Sequence, residues 1–263
     1  MGGTSSDIGQ SIAVGADGAV YVTGYTYSTG AGSYDIFVAK YSATGTLDWK
    51  KTLGKINADY GYGIAVGPDA AVYVTGLGGN DFLVAKYRTD GTLDWKKTLG
   101  GTGADYGRVI AVGDDGAIYV SGYTGSAGAG GNDFLVAKYR TDGTLDWKKT
   151  LGGTIGDIGY GIAVGVDGSL YVTGTTTSAG AGGSDMIVSR LPADGGIDMT
   201  AGPFIWQDAI LTVGENPVLT NNQNPTGLTD GQSPTGLTDG QNPTGLSEGN
   251  AAALTGSTTQ FQD

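Results

Sequence analysis

The sequence predicts an all-β fold: a β-propeller-like array of four four-stranded antiparallel blades, followed by an irregular or fibrous short-period tail. Three observations predict it. The tetrapeptide Ile-Ala-Val-Gly begins at Ile12, Ile64, Ile110 and Ile162, at steps of 52, 46 and 52 residues, and periods of this size mark propellers or solenoids. Each copy holds four short runs rich in Val, Ile, Tyr and Thr, bounded by Gly and Asp, which is strand composition. Gly supplies 51 of the 263 residues against 7 Pro, with no G-X-Y period, so the glycines mark tight turns rather than collagen.

The second copy shows the elements in order. Run A is Tyr62-Gly63-Ile64-Ala65-Val66, followed by the turn Gly67-Pro68-Asp69-Ala70 and run B, Ala71-Val72-Tyr73-Val74-Thr75-Gly76. A Gly/Asn linker leads to run C, Phe82-Leu83-Val84-Ala85-Lys86-Tyr87. The turn Arg88-Thr89-Asp90-Gly91 then leads to run D, Thr92-Leu93-Asp94-Trp95-Lys96-Lys97. Nothing periodic persists for three helical turns, which excludes helices. Four antiparallel strands per repeat describe a propeller blade. Run A, small and apolar, suits the crowded axis, and run D the rim. On run D, Leu93 and Trp95 are expected to face inward and Asp94 and Lys96 outward, where mixed charge guards an exposed sheet edge. The stretch from Asp81 to Thr102 recurs letter for letter from Asp133 to Thr154, which marks strands C and D as scaffold.

The motifs Gly63-Ile64-Ala65-Val66, Tyr73-Val74-Thr75-Gly76, Phe82-Leu83-Val84-Ala85-Lys86 and Gly91-Thr92-Leu93-Asp94-Trp95 resemble the SBBP-type β-propeller repeat. The resemblance covers residues 4 to 200. It is specific for the repeat and weak for function, because one fold hosts many activities. It implies a protein of the bacterial surface or a structural protein of a tailed phage. The Ser/Thr-Gly-Ala-Gly loops and the Leu-Thr tail resemble most the marine cyanobacterial phage members. Two departures stand out. The fourth copy keeps the frame through Leu191-Pro192-Ala193-Asp194-Gly195-Gly196-Ile197-Asp198-Met199, with Met199 in place of the tryptophan. Four copies also sit at the small end of the ~4–8 blades of propellers, so a small ring, an open arc and a ring shared by two chains all remain open. Phe204-Ile205-Trp206-Gln207 is read as completing or locking the last blade.

Composition excludes several chemistries. The chain has no Cys and no His, which removes thiol nucleophiles, disulfides, imidazole catalysis and zinc or iron sites with nitrogen or sulfur ligands. The net charge of -12 repels phosphate backbones, so nucleic acid is not an expected partner. No apolar run is long enough to span a bilayer, and the first residues carry no Sec-type signal. With Met1 as the natural start, the chain is expected to remain in the cytosol where it is made unless something else carries it out. No cofactor and no metal are expected. No carboxylate pair, Lys or Ser stands once in a setting its repeats lack, so the chain is expected not to be an enzyme. One residue breaks the repeat: Arg108 stands where the other copies have Gln10, Tyr62 and Tyr160.

Strand order places the A–B and C–D turns on one face and the longer B–C and D–A connections on the other. Tyr, Ser, Gly and Asn in loops on a rigid scaffold make adaptable contact chemistry, and Tyr25, Tyr27, Tyr34, Tyr60 and Tyr123 are the candidate contact surface. Trp49, Trp95 and Trp147 recur once per blade and are read as blade-to-blade packing rather than as a sugar-stacking platform. Asp7, Asp59, Asp105 and Asp157 each stand five residues before the anchor. They are read as loop fixers accepting backbone N–H bonds, with a cation-gathering rim as the alternative.

After about Ala201 there is no Lys or Arg, and Leu219, Leu228, Leu237, Leu246 and Leu254 follow at steps of 9, 9, 9 and 8. This division gives a propeller-like domain at 1–200 and a tail at 201–263. The tail is read as a disordered acidic linker or as a fibre in which three chains pool their leucines. A calcium ladder is a third option, although the nonapeptide G-G-x-G-x-D is absent. The resulting expectation is a non-enzymatic structural or attachment component of a tailed-phage virion, assembled in the host cytoplasm. Its expected partners are other virion proteins, itself as a homo-oligomer, with a trimeric tail, and a host-surface glycan or protein. The alternative is a bacterial extracellular adhesion or glycan-binding module.

Overall fold

The computed structural model describes residues 5–28, 30, 33–128, 130–178 and 183–196, with the backbone alone of 206–208 and 229–232. The first blade comprises β1 (Asp7–Val14), β2 (Val20–Thr26), β3 (Asp35–Tyr41) and β4 (Leu47–Gly54); the second comprises β5 (Asp59–Val66), β6 (Val72–Gly78), β7 (Asp81–Tyr87) and β8 (Leu93–Leu99). The third comprises β9 (Asp105–Val112), β10 (Ile118–Thr124), β11 (Asp133–Tyr139) and β12 (Leu145–Leu151). The fourth shows three strands among the described residues, β13 (Asp157–Val164), β14 (Leu170–Thr176) and β15 (Asp185–Leu191). All neighbours within a blade pair antiparallel in sequence order. The region of Met199, where the last outer strand is expected, lies outside the described residues, as do Leu219, Leu228, Leu237, Leu246 and Leu254.

The blades stack in order, with β1, β5, β9 and β13 packed side by side along the inner edge. Three apolar layers separate the four blades. In the first, Tyr21, Ile36 and Val38 meet Ile64, Leu83 and Tyr87; in the second, Tyr73, Phe82 and Trp95 meet Ile110, Leu135 and Tyr139. The third joins Tyr119, Phe134 and Val136 to Leu170, Val172 and Ile187. Each middle blade is therefore apolar on both faces, which is why runs B and C read as nearly continuous hydrophobic segments.

A latch repeats at each layer. The indole of Trp95 lies 6.2 Å from the Tyr73 ring and donates from Nε1 to the Thr141 carbonyl of the next blade at 3.1 Å. Trp49 does the same with Tyr21 and Thr89, and Trp147 keeps the ring contact, on Tyr119 at 6.4 Å, without the indole hydrogen bond. The turn that receives Trp95 needs glycine twice over. Gly143 has φ +82, and a Cβ there would sit 2.8 Å from Trp95 Cδ2.

The expected facing of run D is corrected. Lys86 pairs with Trp95 and Tyr87 with Leu93, so Asp94 is the extra residue of a β-bulge. The bulge turns Leu93 toward the first blade and Trp95 toward the third. Lys96, expected outward, is 5% exposed, because both faces of this strand are covered. Asp94 instead pairs with Arg88 at 2.8 Å and Lys86 at 3.8 Å.

The C-terminal segment also differs from expectation. β16 (Trp206–Asp208) pairs with β12 on the outer edge of the third blade, Trp206 opposite Leu151, and does not complete the fourth. β17 (Thr229–Gln232) pairs with β4 on the edge of the first. An outer strand offers a row of unpaired backbone donors and acceptors, and such edges recruit strands.

Two stability predictions follow from these contacts. Replacing Trp95 by Ala is expected to cost about 3–5 kcal/mol, read as a lower denaturant midpoint. Ala70 holds φ +58 at the turn position where the other blades have Gly18, Gly116 and Gly168. An Ala70→Gly variant relieves a left-handed conformation worth about 1–2 kcal/mol and is expected to raise the melting temperature.

Candidate functional site

The inner strands carry a second β-bulge. Gly61 and Gly63 of β5 pair with consecutive residues of β6, leaving Tyr62 unpaired, and Gln10, Arg108 and Tyr160 are skipped in the same way. A bulge re-aims the residue it ejects. Here it puts the one position at which the copies differ most in chemistry onto a common surface.

That surface is a ladder of phenol rings. Tyr27 lies 5.1 Å from Tyr34, Tyr34 5.2 Å from Tyr25, and Tyr25 4.8 Å from Tyr60, ring centre to ring centre. The ladder continues through Tyr60–Tyr62 at 6.1 Å, Tyr62–Tyr106 at 6.5 Å and Tyr106–Tyr123 at 4.7 Å. The structure thus brings all five candidate tyrosines together across three blades. Tyr62 and Tyr106 connect them and were not among the candidates. Both were findable: Tyr106 occupies the frame position of Tyr60, one residue after the loop aspartate, and Tyr62 that of Arg108.

Arg108 closes the far end. Its guanidinium lies 5.8 Å from the Tyr62 ring centre, 5.4 Å from Tyr123 and 5.2 Å from Tyr160, within the range of cation–π attraction. Its Nε is buried without a hydrogen-bond partner. Burial pushes the Tyr62 hydroxyl up to about 12, with Arg108 pulling the other way. Burial also raises Tyr123 and Tyr60. Tyr60, Tyr62 and Tyr123 are therefore neutral donors at physiological pH, beside one fixed cation. Such a surface has the chemistry to stack on apolar faces, to donate hydrogen bonds and to pair an anionic group with Arg108.

The four aspartates before the anchors hold the surrounding loops. Asp59 accepts from the backbone N–H of Lys55 at 2.6 Å and of Gly79 at 2.7 Å. Asp105 accepts from Gly101 N–H at 3.1 Å and Ser126 Oγ at 2.7 Å, and Asp157 from Gly153 N–H at 2.9 Å and Ser178 Oγ at 2.8 Å. Asp7 accepts from Ser28 Oγ at 2.8 Å and from Thr26. Asp59, Asp105 and Asp157 thus tie the loop entering their blade to the B–C connection, and Asp7 holds the B–C side of the first blade. Among the described residues, no group of three or more carboxylates is placed to hold a metal ion, and no helix is long and apolar enough to cross a membrane. Trp49, Trp95 and Trp147 lie apart from the tyrosine ladder, in the apolar layers.

With this geometry in place, the chain is a β-propeller repeat protein. Residues 15–48, 107–146 and 167–200 match the model of a family described as "Domain of unknown function (DUF5122) beta-propeller". Among solved structures, the chain matches in part a protein of unknown function from Bacteroides caccae, known from a crystal structure at 1.35 Å. The identity is 14%, the TM-score 0.41, and the match covers 71% of this chain and 61% of that one. No curated protein matches the sequence.

Two pH-dependent outcomes are expected. Because Tyr62 ionises later in the folded chain than the ~10 of free tyrosine, its contribution is full below that pH and lost as pH rises toward about 12. Tyr62→Phe should therefore flatten the alkaline fall in melting temperature. Asp81 is raised by burial and by neighbouring Asp105, so its charge opposes folding at neutral pH and the penalty fades as pH falls through its folded value. Asp81→Asn should melt higher than the parent at pH 7, with the gap closing in acid.

Proposed function

We propose that the chain is a non-enzymatic structural and attachment component of a tailed-phage virion. The propeller is its rigid scaffold, and the tyrosine ladder with Arg108 its contact surface for a host-surface glycan or protein. The observation that supports the reading is the ladder itself. Seven tyrosines in ring contact run across three blades and end on a caged arginine. Tyrosine supplies rigid amphipathic contact area at low entropic cost, and Arg adds recognition of a carboxylate. Placement in a virion rests on the repeat resemblance and on the leucine-bearing tail, which we assign to docking or self-association with other virion proteins.

The test has two arms. Mass spectrometry of purified particles should find the chain in the particle fraction of an infected culture; a uniform level in uninfected cells would refute the virion reading. Purified protein should bind host-surface polysaccharide or envelope protein, and Tyr60→Ala and Arg108→Ala should each weaken binding at least about tenfold, about 1.4 kcal/mol. Binding by the parent with no response to either change would remove the ladder as the contact surface.

A further inference from the structure

The three apolar layers each join the far face of one blade to the near face of the next. Among the described residues, the near face of the first blade and the far face of the fourth have no such partner. The near face of the first blade exposes Ile12 and Val14 at 65% each. Their counterparts in the second blade, Ile64 and Val66, lie in or against the first apolar layer. The far face of the fourth blade exposes Met186 at 80%, Val188 at 66% and Tyr171 at 45%. Their counterparts Phe82, Val84 and Tyr73 lie in the second layer and are fully buried.

The glycines show that the bare near face is a seat of the same shape as the filled ones. A Cβ on Gly91, Gly143 or Gly195 would strike the tryptophan of the preceding blade, whereas Gly45, at the same turn position, has nothing within 4 Å. On the inner strands, Gly61, Gly107 and Gly159 are each pressed by side chains of the preceding blade, and their counterpart Gly9 again has nothing within 4 Å. A hollow of about 190 Å³, lined in part by Ile8, Val22, Phe37 and Tyr41, opens on this face. The polar latch is also left open. Lys86 reaches the Thr141 carbonyl of the next blade at 3.4 Å and Lys138 the Ala193 carbonyl at 3.3 Å. Arg190 stands at the same position on the fourth blade; it bonds Asp167 at 3.0 Å, as Lys86 bonds Asp69 at 3.1 Å, but it also bonds Ser169 Oγ of its own blade at 2.6 Å.

From these equivalences we infer that the first and fourth blades are the two halves of one interface, and that their occupant is a second copy of this chain. The fourth blade of one copy seats on the first blade of the other as the third seats on the fourth within a chain. The reverse contact closes the ring. Two copies make eight blades, within the ~4–8 of propellers, and a head-to-tail contact that closes gives a ring rather than a filament. The two seams are identical and related by a two-fold along the propeller axis. This inference rests on the blade packing and not on the proposed attachment role.

Light scattering and native mass spectrometry of the full 263-residue chain, over a dilution series, test it. The expected species is a dimer of 26.5 kDa chains. Ile12→Asp and Val188→Asp each place a charge at a position already exposed in the single chain, so the far-UV circular dichroism should be unchanged while each variant alone becomes monomeric. Mixing the two variants leaves one seam free of either substitution, and a heterodimer should reappear. A monomeric parent would overturn the inference, leaving the faces to other segments of the polypeptide. So would a filament, a parent oligomer that survives both substitutions, or a Val188→Asp variant that stays dimeric while Ile12→Asp dissociates, which is the behaviour of a first-blade-to-first-blade contact.

Discussion

Everything in this molecule depends on a blade being apolar on both faces. A sheet with one wet face can stand on one packed layer. The middle blades here cannot: in the second, Val72, Tyr73, Val74, Phe82, Leu83, Val84 and Ala85 run through two adjacent strands without an exposed position. Each middle blade has a neighbour on each side, and the indole latch sets how closely that neighbour approaches. The turn glycines follow from the latch, since a side chain at Gly91 or Gly143 would occupy the space of Trp49 or Trp95. Much of the glycine content is thus a consequence of close stacking as well as of turning the chain.

The repeat made the blade readable at the level of the strand. The Ile-Ala-Val-Gly anchor found every inner strand, and the step of 46 located the blade whose B–C loop is missing, where Gly78 pairs directly with Asp81 around a two-residue turn. What alternation did not reveal were the offsets. Leu93 and Trp95, two apart, read as one face, and only the register across β7 shows Asp94 standing out of the ladder between them. Lys96 read as outward because charge suggests solvent, yet its strand lies between two blades. Trp206 read as belonging to the nearest blade in sequence, whereas the outer edge of the third blade is the one it pairs with.

The site was legible in kind and incomplete in detail. Loop composition pointed to Tyr25, Tyr27, Tyr34 and Tyr123 on one side of the scaffold. It passed over Tyr62 and Tyr106, which lie on the inner strands β5 and β9, away from the B–C segments, whereas Tyr25 and Tyr123, read as loop residues, in fact lie at the ends of β2 and β10. The oddity of Arg108 was visible as a break in the repeat, but its surroundings were not, because Tyr62, Tyr123 and Tyr160 come from three different blades. On a chain with a net charge of -12, a guanidinium held among three phenol rings is a local inversion of the overall electrostatic character.

The inner-strand bulge gives duplication something to work on. Repeats that pack on one another resist divergence, since a change in one copy must suit the copies on either side. The segment that recurs unaltered in the second and third blades shows that restraint. The ejected residue escapes it: it has no cross-strand partner and takes no part in the apolar layers. Gln, Tyr, Arg and Tyr occupy it in the four copies on inner strands of the same length and pairing pattern. A lineage built by copying one blade can thus acquire an asymmetric surface one residue at a time while its framework stays repetitive.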